Sequence, residues 1–549
     1  MKRGSKIFEE SVAKHGIEHI FGIPGGDVME VIDDLEDIEF VSTRHEECAG
    51  FIAAGYGLAK QRPGVAFVRG GPGAANLVIS VANAFQCYHP LVAITGQIPL
   101  SFFGKPFPQF LDHPRIFESI TKKSVRITDG NQIQPYLENA FSLAASSPPG
   151  PVHIDFPMDL QKKEIDVVHP TEEKQKDETE TETVDTTELV KLLNKSEFPV
   201  LICAWEAKLQ GCSQEIAQLS ERLQMPVLCT RNAMGILHPD DLLFGGIVAK
   251  IWKTTLTSPP SNWVLEQSDL VIMVGANDFE LAPRFPLPSG DVFFISTHPL
   301  KIKTQYDPSY EIVSSNLRLA LQKIIKSISS RQQAEKHAKF VELKNNWNKT
   351  LNRLRTQNIC LDLIETINDV LDRNSVVSLD VGIHAFLAVR HLKIKSSQPG
   401  AWMFPGGFYP MGFSFPAAIG AKFADVNNEK TVISLTGDGA FSMVMCDLET
   451  LVRYELPMTT IVFNDSSYGL IKFQQLEYNK KVRAVELRKT DYTKIAQGFG
   501  AEGITVDPTD LGSFKSALNE AISSQRPTVI DIDINTIEVF EDLLDKSKS

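Results

Sequence analysis

Three things are in short supply in this chain of 549 residues. Cysteine is one: there are seven, an odd number, scattered as Cys48, Cys87, Cys203, Cys212, Cys229, Cys360 and Cys446 with no C-x-x-C pair. That spacing suggests neither a disulfide framework nor a zinc site, and it fits a reducing cytoplasmic setting. Long apolar runs are another. No stretch reaches the roughly eighteen residues that a membrane span needs, and after Met1-Lys2-Arg3 the chain enters an amphipathic pattern (Ile7, Val12, Ile17, Ile20, Phe21) instead of the apolar core of a signal peptide. Positive charge is the third. Lys plus Arg number 55 against 68 Asp plus Glu, a net −13, which disfavours a phosphate-backbone partner. The expectation is a soluble, cytoplasmic protein without nucleic-acid or membrane partners.

What is present is an ordinary globular balance, 43% hydrophobic and 22% charged. At roughly 100–200 residues per domain the length suits several cores, and three is the working number. Between Pro170 and Thr187 seven acids face two lysines, with Val184 the only large apolar residue. Such a stretch buries too little surface to offset its ordering entropy, so it reads as a solvated linker. The domains are placed at 1–168, 188–330 and 355–549, joined by the acidic linker 169–187 and a polar helical linker 331–354.

Each domain alternates short apolar runs with helical stretches. Ile20–Ile23, Val65–Val68, Leu91–Thr95 and Val152–Phe156 read as strands of the first. Pro199–Cys203, Met225–Cys229, Leu270–Val274 and Val292–Ile295 read as strands of the second, and Val376–Ser378, Val432–Thr436, Thr459–Phe463 and Thr528–Ile534 as strands of the third. Helices are expected over Cys48–Lys60, Ala74–Phe85 and Phe441–Leu456. Continuous apolar strands with helices between them mark parallel sheets covered on both faces, so the fold class is α/β with three doubly wound domains.

The strongest chemical signal lies in the third domain. Strand Thr431–Thr436 runs into Gly437-Asp438-Gly439, and strand Thr459–Phe463 into Asn464-Asp465. A βαβ unit sets such strand ends side by side, so Asp438 and Asn464 can face one another. Two oxygen ligands suit Mg²⁺, which takes few protein oxygens and completes its shell with phosphate and water; the bland alternative is a pair of turn residues. Gly-Asp-Gly, 24 residues (Ala440–Phe463) and Asn464 resemble the diphosphate motif of thiamine diphosphate (ThDP)-dependent enzymes, the superfamily of acetolactate synthase, pyruvate decarboxylase and benzoylformate decarboxylase. The resemblance implies that Asp438, Asn464 and the Ser466 carbonyl hold the metal, with Gly437, Gly439 and Ala440 beside the cofactor. It also implies a pyrimidine-binding first domain, a central domain and a diphosphate-binding third domain.

Other segments resemble the same family in order. Arg44-His45-Glu46-Glu47 before the small-residue stretch Ala49–Gly57 implies that Glu46 hydrogen-bonds the aminopyrimidine ring as the catalytic carboxyl, leaving Glu47 a solvated or helix-terminal charge. Gly22–Gly26 resembles the G-x-P-G-G loop, Gly71–Asn76 the G-P-G-x-x-N loop, and Thr95-Gly96-Gln97 the T-G-Q segment, adding Gly26, Asn76 and Gln97 to the site. Gln109 matches the Gln of an F-Q-E segment, although Pro108 stands where Phe is usual. Met411, in Gly406–Gly412, matches the large apolar residue that props the cofactor into its bent form; its bland reading is a core gap-filler. His384 resembles a diphosphate-contacting histidine.

Glu46, Gly26, Gln97, Gln109 and Met411 together resemble the acetolactate synthase branch, and Gln474 stands where its FAD-free catabolic members have Gln. Cys203–Lys208 and Ser296-Thr297-His298-Pro299 lack glycine-rich turns, so FAD is expected to be absent. The implied activity is ThDP- and Mg²⁺-dependent decarboxylation of a small 2-oxo acid, pyruvate first, with carboligation to a second carbonyl. Cofactor sites would be shared between subunits of a homodimer or homotetramer. Simple decarboxylation, with His89 or His113 as a proton-relay group, is the alternative, and a non-catalytic regulatory subunit is the alternative of another class. Arg69, before the Gly71 loop, and His89 are candidate substrate contacts.

Overall fold

The apolar runs that mark strands in the sequence become the inner strands of three six-stranded, all-parallel sheets. A computed structural model describes residues 1–166, 184–248, 260–280, 290–300, 310–330, 335–355 and 359–534. Most of the acidic linker falls outside the described residues. The first sheet runs, in spatial order, Glu39–Ser42, His19–Gly22, Gly64–Val68, Leu91–Gln97, Pro151–Pro157, Lys123–Arg126. The central sheet is Phe244–Ile247, Val227–Cys229, Pro199–Cys203, Leu270–Val274, Asp291–Ser296, Tyr310–Val313, and the third is Trp402–Met403, Val376–Leu379, Val432–Gly437, Thr459–Asn464, Thr528–Asp533, Glu502–Val506.

Within these three sheets, every described strand missing from the sequence reading lies at an edge. Five of the six edges carry exposed or half-exposed residues, and the sixth, Trp402–Met403, is only two residues long. An edge strand has one side in solvent and need not be continuously apolar, so the signal that marks a buried strand fades there. A two-stranded antiparallel pairing of Lys2–Arg3 with Glu164–Ile165 ties the start of the first domain to its end.

The helical linker appears as one helix, Glu335–Arg355. The helix expected over Phe441–Leu456 is instead broken into Asp438–Val444, a 3₁₀ turn Met445–Asp447 and Leu448–Arg453. The break sits where Asp447 turns toward the first domain and accepts the Arg44 N–H at 2.9 Å.

Small residues lock the domains together. Helix Glu46–Lys60 lies on helix Ser414–Phe423 so closely that a Cβ on Gly55 would come 2.1 Å from the Ala417 carbonyl oxygen, and one on Gly420 2.0 Å from that of Ile52. Glycine is required at both positions because backbone meets backbone. Two indoles stitch the central domain in place: Trp205 Nε1 donates to the Cys87 carbonyl at 2.6 Å and Trp402 Nε1 to the Arg231 carbonyl at 2.8 Å. Among the described residues no helix is long and apolar enough to cross a membrane.

Candidate active site

In the third sheet Gly437 is registered on Phe463. Asp438 and Asn464 therefore leave neighbouring strand ends, and both are buried. The Asn464 amide is oriented by its nitrogen, which donates to the Thr490 carbonyl at 2.9 Å and to Asp531 Oδ1 at 3.0 Å. Its Oδ1 is buried with no hydrogen-bond partner. A fixed, unsatisfied amide oxygen beside a carboxyl is what a hard cation takes up. Burial, then the Asp465 carboxylate nearby, pushes the Asp438 carboxyl up to about 7, so a bound cation would restore the charge this environment disfavours. Ser466 sits in the left-handed region at φ 52°, and its carbonyl accepts the Leu487 N–H at 2.7 Å. A carbonyl has a second lone pair, so that bond leaves it able to meet a metal.

A cavity of about 500 Å³ opens beside these strand ends. Gly437, Asp438, Gly439 and Ala440 form one wall, His384 and Met411 another, and Tyr468 to Ile471 a third. A Cβ on Gly439 would come 2.9 Å from the Tyr468 ring and 3.4 Å from Met411 Cε, so the glycine keeps the cradle open. The His384 ring stacks on Phe463 with centroids 5.2 Å apart, its Nε2 is unpartnered, and burial lowers it to about 4. It is a neutral imidazole facing the space where the resemblance places a diphosphate.

Sequence reasoning missed Asp380. This buried acid follows strand Val376–Leu379 and accepts the N–H groups of Val381 at 2.9 Å, Gly412 at 3.1 Å and Ser414 at 3.2 Å. It thereby fixes the loop that carries Met411. Its signal was the same as that of Asp438, an acid at the end of an apolar strand. Asp465 and Tyr468 were also passed over, although they follow Asn464 directly.

The first-domain residues gather elsewhere. Glu46 begins helix Glu46–Lys60, is buried, and accepts the Asn76 side-chain N–H at 2.9 Å. A Cβ on Gly73 would lie 3.1 Å from Glu46 Oε1 and 2.9 Å from Arg69, which in turn donates to Gln109 Oε1. A Cβ on Gly26 would meet nothing within 4 Å. Glu46, Asn76, Arg69 and Gln109 thus form one cluster around the Gly71 loop. Glu47 lies in the first turn of the same helix, half-buried, as a helix-terminal charge would, and burial raises its carboxyl.

Gln97 is held inside a buried network. Its amide nitrogen contacts the Leu111 carbonyl at 3.0 Å and His113 Nδ1 at 3.1 Å, and its oxygen accepts the Ile98 N–H at 2.9 Å. His113 is also engaged there, with Asp155 at 2.9 Å and the Gly71 N–H at 2.9 Å. His89 is buried where the three domains meet, near Trp205 and Phe413, and burial lowers it to about 3. Gln474 lies on helix Gly469–Glu477 beyond the residues that line the cavity. No residue of the first domain lines that cavity.

The central sheet offers the corresponding crevice between Pro199–Cys203 and Leu270–Val274, where its strand order reverses. Here it is filled. A Cβ on Gly275 would lie 2.2 Å from the Ala207 nitrogen, and the Trp205 N–H donates to Glu280 at 3.0 Å. Glu206 accepts from Thr297, and burial raises it to about 8 and Glu280 to about 7. Two desolvated carboxyls thus stand past the carboxyl ends of these two strands.

An acid and an orphaned amide oxygen at adjoining parallel-strand ends, beside a glycine-walled cavity, give this α/β protein a cleft with oxygen donors of the kind a hard cation takes. The chain belongs to the thiamine pyrophosphate enzyme family: the N-terminal TPP binding domain matches residues 2–116, the central domain 186–324 and the C-terminal TPP binding domain 380–532. It is 29% identical to the probable acetolactate synthase large subunit of Methanocaldococcus jannaschii over 98% of this chain and 93% of that protein. Identity to the acetolactate synthase of Bacillus subtilis is 28% over 97% and 93%. For the mitochondrial acetolactate synthase catalytic subunit of Saccharomyces cerevisiae it is 26% over 97% and 80%.

Proposed function

We propose that this protein is an acetolactate synthase-like enzyme that uses ThDP and Mg²⁺ to decarboxylate pyruvate and join the two-carbon unit to a second carbonyl. The observation that carries the reading is the buried, unpartnered Asn464 Oδ1 beside Asp438. Asp438, Asn464 and the Ser466 carbonyl would hold the metal, and Gly437, Gly439, Ala440 and His384 the diphosphate. ThDP, when bound, supplies the electron sink that decarboxylation requires. The chain's own groups orient and shield: Met411, anchored through Asp380, supplies an apolar prop, and the glycine wall lets backbone approach the phosphates. Glu46, shielded from water, is placed to share a proton with a ring nitrogen.

The cavity is walled by the third domain alone, while the Glu46 cluster lies in the first. We read each site as shared between two copies of the chain, with Glu46 of one meeting Asp438 of the other. Mixing Glu46→Gln and Asp438→Ala proteins under subunit exchange should then restore about a quarter of the wild-type rate, since half of the dimers are mixed and each holds one intact site of two. Sites within one chain would give no rescue.

Burial lowers His89 to about 3, and His113 is held by Asp155 and the Gly71 N–H, which supports carboligation over simple decarboxylation. Acetolactate from pyruvate supports the proposal; acetaldehyde as the main product overturns it. Trp205, Glu206 and Glu280 support a chain without FAD, and a flavin absorbance band in purified protein would contradict that.

A further inference from the structure

The cysteine spacing suggests no metal site, yet the fold brings Cys48 to the neighbouring pair Cys446 and Asp447, far away in sequence. Cys48 Sγ, Cys446 Sγ and an Asp447 carboxylate oxygen all lie within 4.8 Å of one another. Cys48 sits one turn into helix Glu46–Lys60 of the first domain, and Cys446 and Asp447 lie in the 3₁₀ turn that breaks the helix after Gly439. We propose that Cys48, Cys446 and Asp447 form a binding site for a thiophilic divalent cation of the Zn²⁺ type, clamping the cofactor-facing ends of the two domains together.

The geometry is nearly assembled. Tetrahedral zinc with metal–sulfur bonds of about 2.3 Å sets neighbouring ligands about 3.8 Å apart, and Cys446 Sγ already lies 3.8 Å from Asp447 Oδ2. The other Asp447 oxygen accepts the Arg44 N–H at 2.9 Å and the Thr450 hydroxyl at 2.8 Å, which orients the carboxylate as an outer shell does in a metal centre. Cys446 is half-exposed, which leaves a way in and room for water as the fourth ligand, while Cys48 is buried. The Cys48 thiol leans on Cys446, which lowers the Cys446 thiol and raises that of Cys48. Metal binding would release both thiol protons to solvent, so affinity should rise with pH. Two thiolates and one carboxylate favour zinc, cobalt or cadmium over Mg²⁺, which seeks oxygen. The site is therefore chemically separate from Asp438 and Asn464. The other five cysteines join no such ligand cluster among the described residues.

Cobalt tests this directly. Co²⁺ is titrated into the full chain loaded with ThDP and Mg²⁺ under a phosphine reductant, and thiolate-to-cobalt charge transfer is followed; cobalt in the oxygen-ligand Mg²⁺ site gives no such band. The expected result is a band saturating at one equivalent per chain, displaced by Zn²⁺, and weakened at least about 100-fold in affinity by Cys446→Ser, whose half-exposed position tolerates the change. Cys48→Ala should lose the band as well, and a rise in thermal midpoint on loading should be confined to wild type. No band in wild type, or an undiminished band in Cys446→Ser, overturns the proposal. So does a chain that forms a Cys48–Cys446 disulfide with diamide yet takes up no cobalt.

Discussion

The central and third domains carry the same architecture and opposite strand ends. Each has six parallel strands, but the order reverses between Pro199–Cys203 and Leu270–Val274 in the central sheet and between Val376–Leu379 and Val432–Gly437 in the third, and such a reversal opens a crevice at the carboxyl ends. In the third domain the chain leaves the sheet through Gly437-Asp438-Gly439, and a cavity of about 500 Å³ follows. In the central domain it leaves through Cys203-Ala204-Trp205-Glu206, and two carboxyls raised by burial, Glu206 and Glu280, stand at the crevice. The sheet makes a place for a ligand; the first residues past the strand decide whether that place is open. Both crevices hold acids driven up by burial and an orphaned oxygen, Asn464 Oδ1 beside Asp438 in one and Glu206 Oε1 in the other, where Glu206 Oε2 accepts the Thr297 hydroxyl.

Opening and closing these crevices should have unequal effects. Asp438→Ala removes a charged ligand at the open end and should lower kcat/KM by at least about 1,000-fold with little change in thermal midpoint, read by steady-state kinetics and calorimetry. Glu46→Gln keeps the shape of the neighbouring cluster and removes the shared proton, for an expected loss of about 100- to 1,000-fold in kcat with cofactor affinity changed far less. Trp205→Ala reverses the pattern. It should destabilise the chain by about 3–5 kcal/mol in denaturant unfolding, leaving the rate at 20 °C within about threefold.

The closed crevice also gives a pH dependence. Burial pushes the Glu206 carboxyl up to about 8 from an ordinary 4.5. Its raised value contributes stability that is fully present below the unfolded value and lost as pH rises through the folded one. Stability of the cofactor-free chain should thus fall between about pH 5 and 8, by on the order of a few kcal/mol. Glu206→Gln should flatten that slope, as measured by unfolding midpoints across the range. Asp438, pushed up to about 7, should add to the slope in the metal-free chain.

How much of this was legible follows from where each residue stands. Inner strands such as Leu270–Val274 were readable to the residue because both faces are buried. Edge strands such as Tyr310–Val313, with one buried residue in four, were not. Asp438 and Asn464 were legible because each directly follows its strand. Asp380 gave the same local signal but belonged to no quoted motif. The Cys48–Cys446–Asp447 cluster left no local trace, since only the packing of one domain on another brings it together. Gln97 and His89 show the converse: a motif or residue type placed them in the site, and burial among other partners tells what they touch.

The central claim is that the open strand ends of the third domain hold a metal and a diphosphate, and that the central crevice holds no cofactor. Calorimetric titration of ThDP into the full chain with and without Mg²⁺, for wild type and Asp438→Ala, tests it most directly. The account predicts one ThDP per chain, bound only with Mg²⁺ and lost in Asp438→Ala, with no heat from FAD in either protein. Equal ThDP binding by wild type and Asp438→Ala would contradict it.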